Sequence, residues 1–193
     1  DKQKTLIDQT LVEKLNAAVE KIGVAKAEAD KFAEKVNDIG EGEFPKDIDA
    51  VKALAAEYQD LSDEVKELLT SIKVKLDGFV EQANKFDQLE VAFGSANINV
   101  NLKGYQAYYF VIYNPNASSG MFYIRETTEW SIIQQKELIA EGWTQVEYPF
   151  DYAQKNNYLY YGGDWTTVDF SKDNAEGFVC KVYGKKVDSG EET

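Results

Sequence analysis

Leu11, Leu15, Ala18, Ile22, Ala25, Ala29, Phe32, Val36 and Ile39 follow one another at alternating steps of four and three residues. A stripe of this period marks one face of a long amphipathic helix. It resumes at Val51, Leu54, Tyr58, Leu61, Val65, Leu68, Ile72, Phe79 and Phe86, with Lys75 where an apolar residue is due. Between the two runs, Gly40-Glu41-Gly42-Glu43-Phe44-Pro45-Lys46 supplies a glycine C-cap and a terminating proline, and Asp47 can cap the next helix. The pattern predicts two long helices, the first over residues 5–38, folded as an antiparallel hairpin or coiled coil. Ser62 is an acceptable N-cap, so a break there into a third helix is the other solution. Leu69, Leu76 and Val80 lie off the second stripe, which favours self-association into a larger bundle.

After residue 89 the period changes to two. Ile98, Val100 and Leu102 alternate with Asn97, Asn99 and Asn101, the pattern of a half-buried strand. Tyr105 to Tyr113 is apolar on both faces and reads as a central strand. Asn114 to Gly120 is a loop, and Met121 to Arg125 is expected to return as the second arm of a hairpin. A short helix is expected over 128–141, capped by Thr127 or Thr128 and ended by Gly142. Further strands are expected at 143–148, 158–161, 165–170 and 177–184, with Gly162-Gly163 as a turn. The fold class is therefore α+β in two parts. A helical stalk over 1–88 is followed by an antiparallel β-rich sandwich or small barrel over 89–185 with one helix, and by an acidic tail over 186–193.

Composition narrows the chemistry. Of the 193 residues, 34 are acidic and 21 basic, and the formal charge is −13. Arg125 is the only arginine, so the bidentate phosphate and guanine contacts typical of nucleic-acid interfaces are nearly unavailable. Nucleic acid is not an expected partner, nor is membrane insertion, since no run approaches the ~18 apolar residues of a membrane helix. The chain has no histidine, which removes the commonest general base and metal ligand. No catalytic residue, cofactor or metal is expected. Cys180 is alone, so it reads as a buried small hydrophobe in a strand. The chain begins at Asp1 with polar residues, so any export leader is expected to be absent or already removed.

Eleven of the 12 tyrosines and all three tryptophans lie beyond residue 89. Tyr158, Tyr160, Tyr161 and Trp165 flank the glycine pair, Trp143 opens a neighbouring strand, and Asp164 adds a carboxylate. Flat rings beside polar side chains suit sugar rings and protein hot spots alike, so these six are the candidate ligand-binding residues. Trp165 and Tyr160 are expected to be exposed. Asp164, Asp169, Asp173, Asn174 and Glu176 offer oxygen ligands for Ca²⁺, without the spacing of an EF-hand. Glu126, Glu129, Glu147, Asp151 and Asp164 offer paired carboxylates in the sense of glycoside hydrolysis, as any chain this acidic does. Asn116-Ala117-Ser118 matches an N-glycosylation acceptor.

Two resemblances follow. The segment VKALAAEYQDLSDEVKELL at 51–69 is similar to the small three-helix modules of Gram-positive cell-wall proteins. The order of a heptad-bearing helical part and a β head resembles the head-fibre, tail-fibre and decoration proteins of bacteriophages. The second resemblance implies a non-enzymatic structural and attachment protein of a virion. In that reading the helices make a homo-oligomer and the head binds a carbohydrate or surface protein. The first implies the alternative, an extracellular bacterial cell-surface protein with an adhesive or carbohydrate-binding module.

Overall fold

A computed structural model describes residues 9–89, 98–99, 105–125, 131–148, 158–163 and 177–187. Contacts divide the chain into two compact units, Asp1–Glu43 with Asp47–Glu81, and Phe44–Lys46 with Gln82–Thr193. An N-terminal helical region thus precedes an antiparallel β region.

The helical unit is built from four helices rather than two. These are α1 (Gln9–Asp38), α2 (Ile48–Asp60), α3 (Asp63–Leu68) and α4 (Thr70–Ala83). Gly40 adopts φ 65° just after α1, the left-handed cap its lack of a side chain permits. Asp47 occupies the cap position of α2, but its carboxylate points back and accepts from the Glu43 N–H at 2.6 Å instead of capping the helix. The break at Ser62 is the decisive departure from a hairpin. Its hydroxyl accepts from the Val65 N–H at 3.4 Å and starts α3, and a second interruption follows at Leu69.

Each interruption shifts the phase of the apolar stripe. Leu61, Val65 and Phe79 are buried as expected, but inward positions also fall on Leu69 and Leu76, while Leu68 is left exposed. Leu69 and Leu76, read from sequence as surplus surface for association, are core residues of this unit. Ala29, Phe32 and Val36 of α1 complete that core with Ile48, Val51 and Leu54. Phe32 packs on Tyr58 at 5.8 Å, Lys35 pairs with Glu57 at 2.6 Å, and Lys75 of α4 donates to Asn37 at 3.1 Å. All three contacts fall on the C-terminal half of α1. The helix has 30 residues and is about 45 Å long, so α2 and α4 cover only part of it. The last member of the sequence stripe, Phe86, is not helical at all and lies in the first strand.

The β unit is a sandwich of two four-stranded sheets. Its strands are β1 (Phe86–Leu89), β2 (Ile98–Asn99), β3 (Tyr105–Asn114), β4 (Gly120–Arg125), β5 (Ile132–Leu138), β6 (Gly142–Tyr148), β7 (Tyr158–Gly163) and β8 (Val179–Lys186). One sheet has the order β1-β8-β3-β6 and the other β2-β7-β4-β5, and every pairing is antiparallel. β3 is a central strand, as its sequence requires, lying between β8 and β6. Its inward residues Tyr108, Phe110 and Ile112 meet Phe122 and Ile124 of β4, Leu138 of β5, Val146 and Tyr148 of β6, and Cys180 and Val182 of β8.

Three expectations fail here. β4 does not return beside β3 but belongs to the opposite sheet, where it pairs with β5 and β7, and Phe110 packs on Phe122 at 5.4 Å. Residues 132–138 form strand β5, not part of a helix over 128–141. The helix-forming Gln134-Gln135-Lys136-Glu137 run is overridden by β-branched Ile132 and Ile133 and by pairing with β4. The turn that follows closes on Glu141 at φ 47°, and Thr144 Oγ1 accepts from the Ile139 N–H at 3.0 Å. Gly162 and Gly163 are not a turn but the end of β7, opposite Tyr123 and Phe122.

The β3–β4 loop is organised by buried Asn114. Its Oδ1 accepts from the Asn116 N–H, and its Nδ2 donates to the Ser118 carbonyl, both at 3.0 Å. This arrangement turns the chain across the end of the sandwich.

Candidate functional site

The candidate aromatic residues are distributed over both sheets. Trp143 is the second residue of β6 in the first sheet, whereas Tyr158, Tyr160 and Tyr161 lie on β7 in the second. In register, Tyr158 stands opposite Asn99, Tyr160 opposite Arg125 and Tyr161 opposite Ile124. Asp164 and Trp165 lie outside the described residues, as do Asp169, Asp173, Asn174 and Glu176 of the Ca²⁺ proposal. Glu126, Glu129 and Asp151 also lie outside them.

Around Trp143 the geometry is complete. On β3, Tyr108, Phe110 and Ile112 point into the core, so Tyr109, Val111 and Tyr113 alternate onto the other face. Trp143 is the direct cross-strand neighbour of Tyr113, with ring centroids 5.3 Å apart and planes tilted by 50°. Val179 of β8 stands on the other side of Tyr113 and is exposed. The Lys181 Nζ lies 5.3 Å from the Trp143 ring, a cation–π contact worth about 0.5–1 kcal/mol at an exposed site. Trp143 itself is 37% exposed. Sequence reading singled out Trp143 and missed Tyr113, Val179 and Lys181, although the two-residue period of β3 and β8 already puts each on the outward face.

Further along this face, Tyr109 stands opposite Glu147. Its hydroxyl pKa is raised first by burial, then by the Glu147 carboxylate to which it hydrogen-bonds. Glu147 is the one described member of the proposed carboxylate pairs, and its contact is this tyrosine. At the other end of the sheet, the Tyr105 hydroxyl donates to Asp87 Oδ2 at 3.2 Å, and Lys186 pairs with Asp87 at 2.9 Å. Burial and that hydrogen bond raise the Tyr105 pKa as well. The lone thiol is buried, and burial pushes the Cys180 pKa up to about 12, leaving it protonated and inert at neutral pH. Among the described residues, no group of three or more His, Cys, Asp or Glu side chains could hold a metal ion. No described helix is long and apolar enough to cross a membrane.

The helical unit carries the second candidate surface. Leu11, Leu15, Val19 and Ile22 are 65, 64, 60 and 66% exposed, and Val12 adds to them. Leu11, Leu15 and Ile22 belong to the heptad stripe whose later members are buried against α2–α4. Val12 and Val19 each follow a stripe position and widen it. The stripe thus runs unbroken from a buried C-terminal half to an uncovered N-terminal half of the same helix.

No family model and no curated protein matches the chain. Among solved structures, the chain is similar to the Tobacco streak virus coat protein, determined as a dimer. The TM-score is 0.30 and the identity 12%, over 54% of this chain and 88% of that one. A likeness at that level does not define a fold.

Proposed function

We propose that this chain is a non-enzymatic structural and attachment protein. Its helical unit joins copies of the chain, and its sandwich supplies the contact surface, as in a virion fibre or decoration protein. The observation that supports this reading is the uncovered stripe on α1. Several large aliphatic side chains, each about 60% exposed or more, follow a helical period on one element. Solvation of such a row is unfavourable by about 25 cal/mol per Å² of apolar surface. In the sandwich, the exposed Trp143 ring with Tyr113 and Lys181 is the surface suited to a carbohydrate or a protein partner.

The Ser62 cap falls on the Leu-Ser-Asp step of the segment that resembles Gram-positive cell-wall modules. It favours a second reading, a cell-surface protein with the same two parts. Both readings require multivalent display.

Light scattering over a concentration series tests the reading. The whole chain is expected to be dimeric or larger, and Ile22→Glu monomeric with an unchanged far-UV circular dichroism spectrum. A wild-type chain that stays monomeric at every concentration would overturn it.

A further inference from the structure

The partner of the α1 stripe is a second copy of the same helix, and we infer that the two pair antiparallel, about a two-fold axis near Glu20. The inference rests on the self-association proposed above and adds its geometry. Three features of α1 point the same way.

The first is side-chain size. Between exposed Leu11 and buried Ala29 the uncovered stripe reads Leu15, Ala18, Ile22, Ala25. A parallel pair would set Leu15 on Leu15, Ala18 on Ala18 and Ile22 on Ile22, alternating crowded layers with layers too small to fill. An antiparallel pair centred on residue 20 sets Leu15 against Ala25 and Ala18 against Ile22, then repeats both in reverse. Every layer then holds one large and one small side chain, the arrangement that interdigitates without voids.

Charge is the second. Lys14, Lys21 and Glu28 flank the stripe on one side, and Val12, Val19 and Lys26 on the other. Parallel pairing brings Lys21 of each copy to Lys26 of the other, two like-charge contacts only partly eased by the Lys26–Asp30 ion pair at 2.9 Å within each copy. Antiparallel pairing brings Lys14 to Glu28 twice and leaves one Lys21–Lys21 approach, with Val19 meeting Val19 close to the axis.

The third is space. Beyond Ala25 the same face of α1 is occupied by the chain's own helices, since Ala29, Phe32 and Val36 are buried and α3 packs on α1. Parallel pairing would bring the two sets of α2–α4 to the same end and the same side. Antiparallel pairing sends them to opposite ends, and each copy's N-terminal half takes up the seam where the other's intrachain contacts stop. The exposed half is short for an isolated helix. It is held helical by the docked half, so little ordering cost opposes the pairing.

Spin labels at Glu13, Glu20 and Ala27, one at a time in a Cys180→Ala chain, test the geometry. All three sites are exposed and lie on the face of α1 away from the stripe. The expected interlabel distance is shortest at position 20. At positions 13 and 27 it is longer, because the labels separate along the axis by about 21 Å at 1.5 Å rise per residue. Equal distances at all three positions in a chain of dimeric mass would overturn the antiparallel geometry while leaving self-association standing. Monomeric mass with no dipolar coupling would overturn both.

Discussion

An ideal Cβ placed on Gly184 would lie 2.5 Å from Cδ1 of Tyr105 and 2.7 Å from Cε1 and Cγ. Carbon atoms in favourable contact are about 3.5–4.0 Å apart, so Gly184→Ala creates an overlap of about 1 Å. The ring cannot easily yield. It is packed against the sandwich core, and its hydroxyl is tied to Asp87, which is itself paired with Lys186. Overpacking of this kind costs about 1–3 kcal/mol. The sign should reverse once the ring is gone. Glycine within a strand is less favourable than alanine by about 0.5–1 kcal/mol, so Gly184→Ala in a Tyr105→Ala background is expected to be neutral or stabilising. The coupling between the two positions is then roughly 2 kcal/mol, well beyond the additivity of distant sites. Urea titration followed by tryptophan fluorescence reads it, since Trp143 lies on β6 and all three tryptophans of the chain follow residue 89. With a slope of about 1–3 kcal/mol per M, Gly184→Ala should lower the midpoint by the order of 1 M with the slope unchanged. The same penalty in both backgrounds would refute the account of the close approach.

Ser62→Ala removes the oxygen that caps α3 and should cost the helical unit about 1 kcal/mol, whereas Ser62→Asp should retain most of the stability; thermal unfolding at 222 nm distinguishes them. Tyr108 is fully buried, and burial, followed by the nearby Tyr105, pushes its pKa up to about 12. Above pH 10 the unfolded chain releases this proton while the folded chain keeps it, so the contribution of Tyr108 should be level below pH 10 and fall between pH 10 and 12. Cys180 acts in the same direction from about pH 9. Urea midpoints at pH 8, 10 and 11 should show the decline, and Tyr108→Phe should reduce it, the remainder coming from Cys180, Tyr105 and Tyr109; a decline unaltered by that substitution would refute the role given to Tyr108.

Much of the architecture was legible from period alone. The change from 3.5 to 2 marks the passage from helix to strand, and the two-faced apolarity of 105–113 marks a strand with neighbours on both sides. What period could not convey was phase across an interruption. Ser62 and Leu69 each reset the helical face, moving the core from Leu68 to Leu69 and turning one long helix into three. Partner choice was likewise hidden. Phe122 and Ile124 are spaced for a hairpin with β3 and equally for a sheet across the core, and only long-range pairing with Tyr160–Gly163 decides between them. Residues 132–138 have helical composition and strand structure because β4 supplies a ladder there. The candidate surfaces divide in the same way. Trp143 was visible as a ring, but its neighbours depend on the register of three strands. The uncovered length of α1 depends on where α3 packs against it.

The order β1-β8-β3-β6 also sets a timetable. β8, whose last residue is Lys186, lies between β1 and β3, and Phe86–Leu89 have their partners in Val182–Lys185. A ribosome adding about 5–20 residues per second needs roughly 5–20 s to pass from the end of α4 to the end of β8. Throughout that interval the helices can already close on their local contacts, while the first sheet lacks the strand that joins its halves. The nascent chain therefore spends seconds with a finished helical unit and an open β edge, the period in which it most needs shielding from other unfinished chains.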